Sequence, residues 1–227
     1  MDPLHAVDRR ARILLTAALP EAEEAGVADK IDILVSALDA LFPRDGTDAL
    51  SGARRWRQGR PGRQLWSYLS CRSHGCDACG SVSRDPADRG WPSRVIDTSA
   101  VQNRAFPWLA FRFGLTGELY GDVARKLGSA WQPGGQCFAS GAGEGTLFYP
   151  GTPDRVGGRT HIPIESIRLK LVREGLEDYE LLRLAAQKDQ ARAETIAREL
   201  FPAAHRCAQP PDRLERARGA LFALLER

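Results

Sequence analysis

Leu65-Trp66-Ser67-Tyr68-Leu69-Ser70-Cys71 is the stretch on which the fold turns. Read as a strand, its period of two puts Trp66, Tyr68 and Ser70 on one face and Leu65, Ser67 and Leu69 on the other. Such a strand can pack its aliphatic face on helices while its aromatic face looks into a barrel or a barrel mouth. Sugars bind in that setting, with aromatic planes against C–H faces and polar tips on hydroxyls. The plainer reading of the same residues is a pair of core aromatics.

Working outward, three further short runs read as strands: Arg12–Thr16, Ile31–Ser36 and Gly117–Tyr120. Long loops or helices separate all four, which predicts parallel pairing through crossovers rather than hairpins. A helix is expected over Ala100–Phe113, capped by Asp97 or Thr98 and stopped by Gly114. Pro163 is expected to open a second helix, Ile164 to about Gln187, whose stripe Leu169, Val172, Leu176 and Tyr179 repeats at helical spacing. A last helix, Asp212–Glu226, follows Pro210-Pro211. Glycine and proline mark 43–63, 72–93 and 133–160 as loops. The fold class is α/β.

The chain has 227 residues, a formal net charge of +3, 43% hydrophobic and 27% charged residues. That is a soluble globular composition with enough chain for a sizeable core. No apolar run approaches the ~18 residues of a membrane span, and the opening Met1-Asp2-Pro3-Leu4-His5 lacks the basic-then-apolar order of a secretory signal. Only Lys30, Lys126, Lys170 and Lys188 among the 32 basic residues are lysines. Five cysteines, an odd and sparse set, favour a reducing compartment, and the expected location is the cytoplasm.

Four other segments could carry chemistry. Cys71, His74, Cys76 and Cys79 have knuckle-like spacing, but Gly75 alone separates the two pairs, so free thiols or a local disulfide compete with zinc. Glu118 and Tyr120 point together from one short strand, and the glutamate there needs a ligand or an arginine such as Arg104 or Arg112. Glu177-Asp178 reads as a solvated or salt-bridged helix face. Arg54, Arg55, Arg57, Arg60 and Arg63 around Trp56 read as a solvated loop rather than a nucleic-acid grip. Nucleotide-binding loops, nucleophile elbows and His-Glu-x-x-His are missing from the sequence, and no metal or cofactor is expected.

Seven segments then resemble one family in order. They are Leu65–Cys71 with Ser73-His74-Gly75-Cys76; Trp91-Pro92-Ser93 with Ile96-Asp97; Arg104 with Trp108-Leu109-Ala110; and Gly117-Glu118-Leu119-Tyr120. Gly143-Glu144-Gly145-Thr146-Leu147-Phe148-Tyr149-Pro150-Gly151, Pro163–Leu169 and Arg173–Glu180 complete the set. Together they resemble the C-terminal part of the catalytic domain of glycoside hydrolase family 123, a domain widespread in bacteria. The resemblance covers most of 12–187. It implies a (β/α)8 barrel and retaining hydrolysis of terminal β-linked N-acetylgalactosamine, in which the substrate's acetamido oxygen attacks the anomeric carbon. An adjacent Asp-Glu pair after the fourth barrel strand would orient that group and act as acid/base. No Asp-Glu dipeptide occurs in this sequence.

The expectation is therefore the second half of a TIM-type barrel over 1–187 and a helical tail over 188–227. The acid pair would lie upstream of Met1, and the chain would be inactive alone. Its partners would be a carbohydrate, the missing barrel half or a second copy of itself, with neither nucleic acid nor membrane. No catalytic residue carries over. Trp66, Tyr68, His74, Glu118 and Tyr120 are the expected substrate wall, since barrel sites form at strand C-termini. A non-catalytic carbohydrate-binding or structural module is the competing reading.

Overall fold

The structure is a computed structural model that describes residues 8, 10–76, 79 and 85–226. Two compact units divide the chain: 1–70 with 115–119, and 71–114 with 120–227.

The first unit is built on strands β1 (Leu14–Thr16), β2 (Ile33–Ala37), β3 (Gln64–Tyr68) and β4 (Gly117–Glu118). All pairings are parallel and the spatial order is β1-β2-β3-β4. The four expected strands are thus present: β1 and β4 are shorter than expected, β2 runs on to Ala37, and β3 begins at Gln64 and ends at Tyr68. Leu34, Val35 and Leu65 are fully buried, as a parallel strand covered on both sides requires. The Asp32 carboxylate secures the β1 margin, accepting Ile13 N–H at 2.8 Å and an Arg60 guanidinium N–H at 2.7 Å.

Helices α1 (Leu19–Glu24), α2 (Leu38–Leu41) and α3 (Ala49–Gln58) complete the unit. Glu21 folds back to accept the Ala18 N–H at 2.9 Å, so α1 starts where Pro20 suits a first turn. Helix α3 corrects the loop expected over 43–63. Asp48 caps it by accepting Ser51 N–H at 3.1 Å, and Leu50, Ala53 and Trp56 form its buried face. The neighbouring arginines reflect an amphipathic helix rather than a loop. Trp56 donates its indole N–H to Ala28 O at 2.9 Å, and the Arg63 guanidinium stacks 4.6 Å from the ring centroid.

In the second unit, the single helix expected over 100–113 is two: α4 (Ala100–Arg104) and α5 (Phe106–Phe113). Pro107 has no N–H to give to Asn103 O four residues back, and that carbonyl takes a 3.4 Å bond from Arg94 instead. Ser99, not Asp97 or Thr98, caps α4 by accepting Gln102 N–H at 3.2 Å. Gly114 ends α5 in the left-handed region at φ 69°.

The stretch 133–160 is not plain loop. It holds the ribbon β5 (Cys137–Phe138) with β6 (Gly141–Ala142), strand β7 (Phe148–Gly151) and the turn of helix α6 (Pro153–Val156). Strand β8 (Ile162–Glu165) pairs antiparallel with β7 and takes the residues expected to open the long helix. That helix, α7 (Ile167–Lys188), starts at its cap Ser166, which accepts Leu169 N–H at 3.3 Å. Helices α8 (Gln190–Leu200) and α9 (Pro211–Leu225) follow.

The expected apolar stripe of α7 is only partly buried: Leu169, Val172 and Tyr179 are half-buried, with the Tyr179 ring edge-on to Phe111 at 6.4 Å. Leu176 is 55% exposed, whereas Gly175, Asp178, Leu182 and Ala185 point inward. A Cβ on Gly175 would stand 2.9 Å from Arg104 O, so glycine is what lets α7 approach α4 and α5. Asp178, expected on a solvated or salt-bridged face, is fully buried. It accepts Arg104 Nε at 2.6 Å and Nη2 at 2.8 Å, Trp108 Nε1 at 2.9 Å and Arg218 Nε at 2.9 Å. Arg104 is thereby committed to Asp178, and Arg112 donates to Phe201 O at 2.5 Å. Cys207, also in this unit, is an unpaired thiol with no exposed surface. No described helix is long and apolar enough to cross a membrane.

Candidate functional site

The five expected wall residues fall in both units: Trp66, Tyr68 and Glu118 in the first, His74 and Tyr120 in the second.

In the first unit the strand alternation is observed. Leu65 and Ser67 have no exposed surface, and Trp66 and Tyr68 are half-buried. Ser36, the register partner of Ser67, lines a cavity of about 490 Å³ together with Leu19 of α1 and Ala53 and Trp56 of α3. The Ser36/Ser67 face is therefore the helix-covered one, and Trp66 and Tyr68 share the other. Hydroxyl rungs cross the covered face, with Ser67 Oγ donating to Ser36 O and Ser36 Oγ to Ala17 O, each at 2.8 Å.

Trp66 is held at two points. Its indole N–H donates to Gln64 Oε1 at 2.9 Å, and its ring lies so close over Gly117 that a Cβ there would be 2.5 Å away. Burial, with help from Asp39 and Glu21, pushes the Tyr68 hydroxyl pKa upward. Tyr68 therefore stays a neutral donor at physiological pH. Glu118 is placed differently from expectation. Its register partner is Ser67, which puts it on the face opposite Trp66 and Tyr68. The alternation within 117–120 gave no information on this register.

In the second unit His74 is fixed by both ring nitrogens. Nδ1 lies 3.1 Å from Ser73 Oγ and 3.4 Å from Ser93 Oγ, and Nε2 lies 3.1 Å from Ala139 O. A proton on Nε2 donated to that carbonyl leaves Nδ1 to accept from the two hydroxyls. His74 borders a cavity of about 240 Å³ with Ser73, Asp97, Thr98, Gln102 and Ser140 among its polar walls and Val95 and Ala142 as apolar floor.

Sequence reasoning missed the carboxylate behind it. Glu144 is 7% exposed, and burial pushes its pKa up against the opposing pull of His74, Tyr120, Arg94 and Arg168. Tyr120 bonds to Glu144 and accepts Gly145 N–H at 3.0 Å, and burial also raises its hydroxyl pKa. Arg94 covers the Tyr120 ring at 5.5 Å. Arg168, 4% exposed, donates to Arg94 O at 2.9 Å and to Gly143 O and Thr146 O at 2.5 Å each. It clamps the backbone on both sides of Glu144. The glycines flanking Glu144 were the available signal, because both adopt positive φ (80° and 66°) and let the loop fold tightly around it.

Of the alternatives left open over 71–79, disulfide pairing is the one present. Cys71 pairs with Cys76 and Cys79 with Cys137, so these sulfurs are committed to disulfides. No group of three metal-ligating side chains occurs among the described residues. Four of the five cysteines are thus paired, and Cys207 is the free thiol. No family model matches the chain, and no curated protein sequence matches it.

Proposed function

We propose that this chain is the C-terminal part of a carbohydrate-active (β/α)8 domain of the glycoside hydrolase family 123 type, without turnover of its own. One observation carries the reading: four parallel strands in sequential order, with α1 and α3 on one face and Trp66 and Tyr68 on the other. A sheet wound in one direction keeps its crossover helices on one side, and in a barrel the other side is the interior. A doubly wound sheet reverses its strand order and covers both faces.

Trp66 is the stacking platform in this reading and Tyr68 the neutral hydroxyl donor, for a sugar bearing a β-linked N-acetylhexosamine. No Asp-Glu dipeptide, in that order, occurs in the sequence to orient an acetamido group and move a proton. The paired cysteines support a folded life in an oxidising compartment rather than the cytoplasm.

The test is titration of the chain with N-acetylgalactosamine, followed by the indole signals, beside an assay on 4-nitrophenyl β-N-acetylgalactosaminide. Millimolar binding is expected, with roughly tenfold weakening (about 1.4 kcal/mol) in Trp66→Ala and no nitrophenol release. Absence of binding, or binding untouched by Trp66→Ala, would sink the reading. The same assays on the polypeptide encoded together with the in-frame DNA upstream of Met1 separate the two functional classes. Hydrolysis there supports a glycosidase domain, and binding without hydrolysis a carbohydrate-binding module.

A further inference from the structure

We propose that the Cys71–Cys76 disulfide is a site of thiol–disulfide exchange with a dithiol reductant, and that opening it releases His74 from the wall of the 240 Å³ cavity.

The two disulfides differ in reach and exposure. Cys71–Cys76 spans five positions, and Cys76 is exposed. Cys79–Cys137 spans 58 positions, and both of its residues are half-buried. The shorter bridge constrains little of the unfolded chain, so its loss disturbs the fold least. Its loop instead holds one functional side chain, since His74 lies inside it.

What the loop holds in place is a strained turn. Ala139 and Ser140, between β5 and β6, both have positive φ (44° and 65°), a conformation for which Asn-Gly is the usual choice. Two side-chain bonds join the disulfide loop to that turn, one from each side. Ser140 Oγ donates to Cys76 O at 3.0 Å, and His74 Nε2 is 3.1 Å from Ala139 O. His74 N–H also donates to Cys71 O at 3.1 Å. The imidazole is packed so tightly that a Cβ on Gly141 would come within 2.8 Å of Nε2. Ser73 and His74 form one wall of the cavity, and Ser140 and Gly141 another. With the short bridge closed, loop and turn brace each other. With it open, the turn loses its brace while Cys79–Cys137 still tethers the strand.

The chemistry balances with a dithiol. One reductant thiolate attacks Sγ of Cys76, the exposed residue of the pair, the Cys71–Cys76 bond breaks, and Cys71 leaves as a thiolate. The second reductant thiol resolves the mixed disulfide. Two electrons and two protons pass to the protein, and the reductant departs as its own disulfide.

The experiment is graded dithiothreitol treatment of the full chain. Mass spectrometry maps the cysteines and the rate at which diethyl pyrocarbonate modifies His74. Cys71–Cys76 should open first, with cooperative thermal unfolding retained and His74 modified about tenfold faster. The double variant Cys71→Ser/Cys76→Ser should show the same fast modification without reductant. Reduction of Cys79–Cys137 first would overturn the proposal, as would unchanged His74 reactivity once Cys71 and Cys76 are reduced. If the double variant does not fold, the graded reduction of the native chain decides alone.

Discussion

The first unit fills its interior with Leu34, Val35 and Leu65 and bridges strands with two serines. The second buries Arg94, Arg104, Glu144, Arg168 and Asp178. The first is held mainly by area removed from water, which is non-directional and tolerant of shape. The second has an apolar core of its own, with Trp108, Leu109, Leu182 and Phe201 buried, but depends on pairing as well: each buried charge is tolerated only while its partners stay in place. The difference teaches that one chain can combine a forgiving scaffold with an all-or-none one.

The sharpest way to break this contrast is Asp178→Ala. It strips Arg104, Arg218 and the Trp108 indole of one shared acceptor, and should cost about 3–5 kcal/mol by urea denaturation. Replacing the pair together, Arg104→Met with Asp178→Leu, should recover much of that loss if unpaired charge is the cause. In the first unit Leu65→Ala should cost about 2–5 kcal/mol, whereas Leu65→Met should cost under about 1.5 kcal/mol. A Leu65→Met penalty as large as that of Leu65→Ala would erase the claimed tolerance.

The smallest effect is a pH dependence. Glu144 has a raised folded pKa, so the folded state holds its proton where the unfolded state has lost it. Stability from this group is full at acidic pH and falls as pH rises from the ordinary carboxylate range through the raised value. Glu144→Gln should flatten that decline. Identical urea midpoints against pH for variant and native protein would show that burial is not what sets the Glu144 proton.

The same contrast explains what the sequence made legible. Parallel strands are written in consecutive residues, so Ile33–Val35 and the alternation at 64–68 could be read directly. Helix α3 was hidden because arginine and glycine dominated its composition, although Asp48 followed by Leu50, Ala53 and Trp56 carried the cap and the spacing. Asp178 meets partners 70, 74 and 40 positions away, and no local pattern encodes such meetings. The bridge from Cys79 to Cys137 is equally non-local. For the candidate site, Trp66 and Tyr68 were legible as a face. Glu118 was misassigned because its register with Ser67 is a tertiary fact, and Glu144 was overlooked because burial, not residue type, makes it unusual.

Cys207 gives the second unit an internal reporter. Its sulfhydryl is sealed and burial pushes its pKa far up, so it is neither accessible nor a thiolate in the folded chain. With the other four cysteines oxidised, a thiol-trapping dye can label only this position. The labelling rate then clocks the opening of the arginine-bearing interior, with no tryptophan signal to disentangle and no engineered probe.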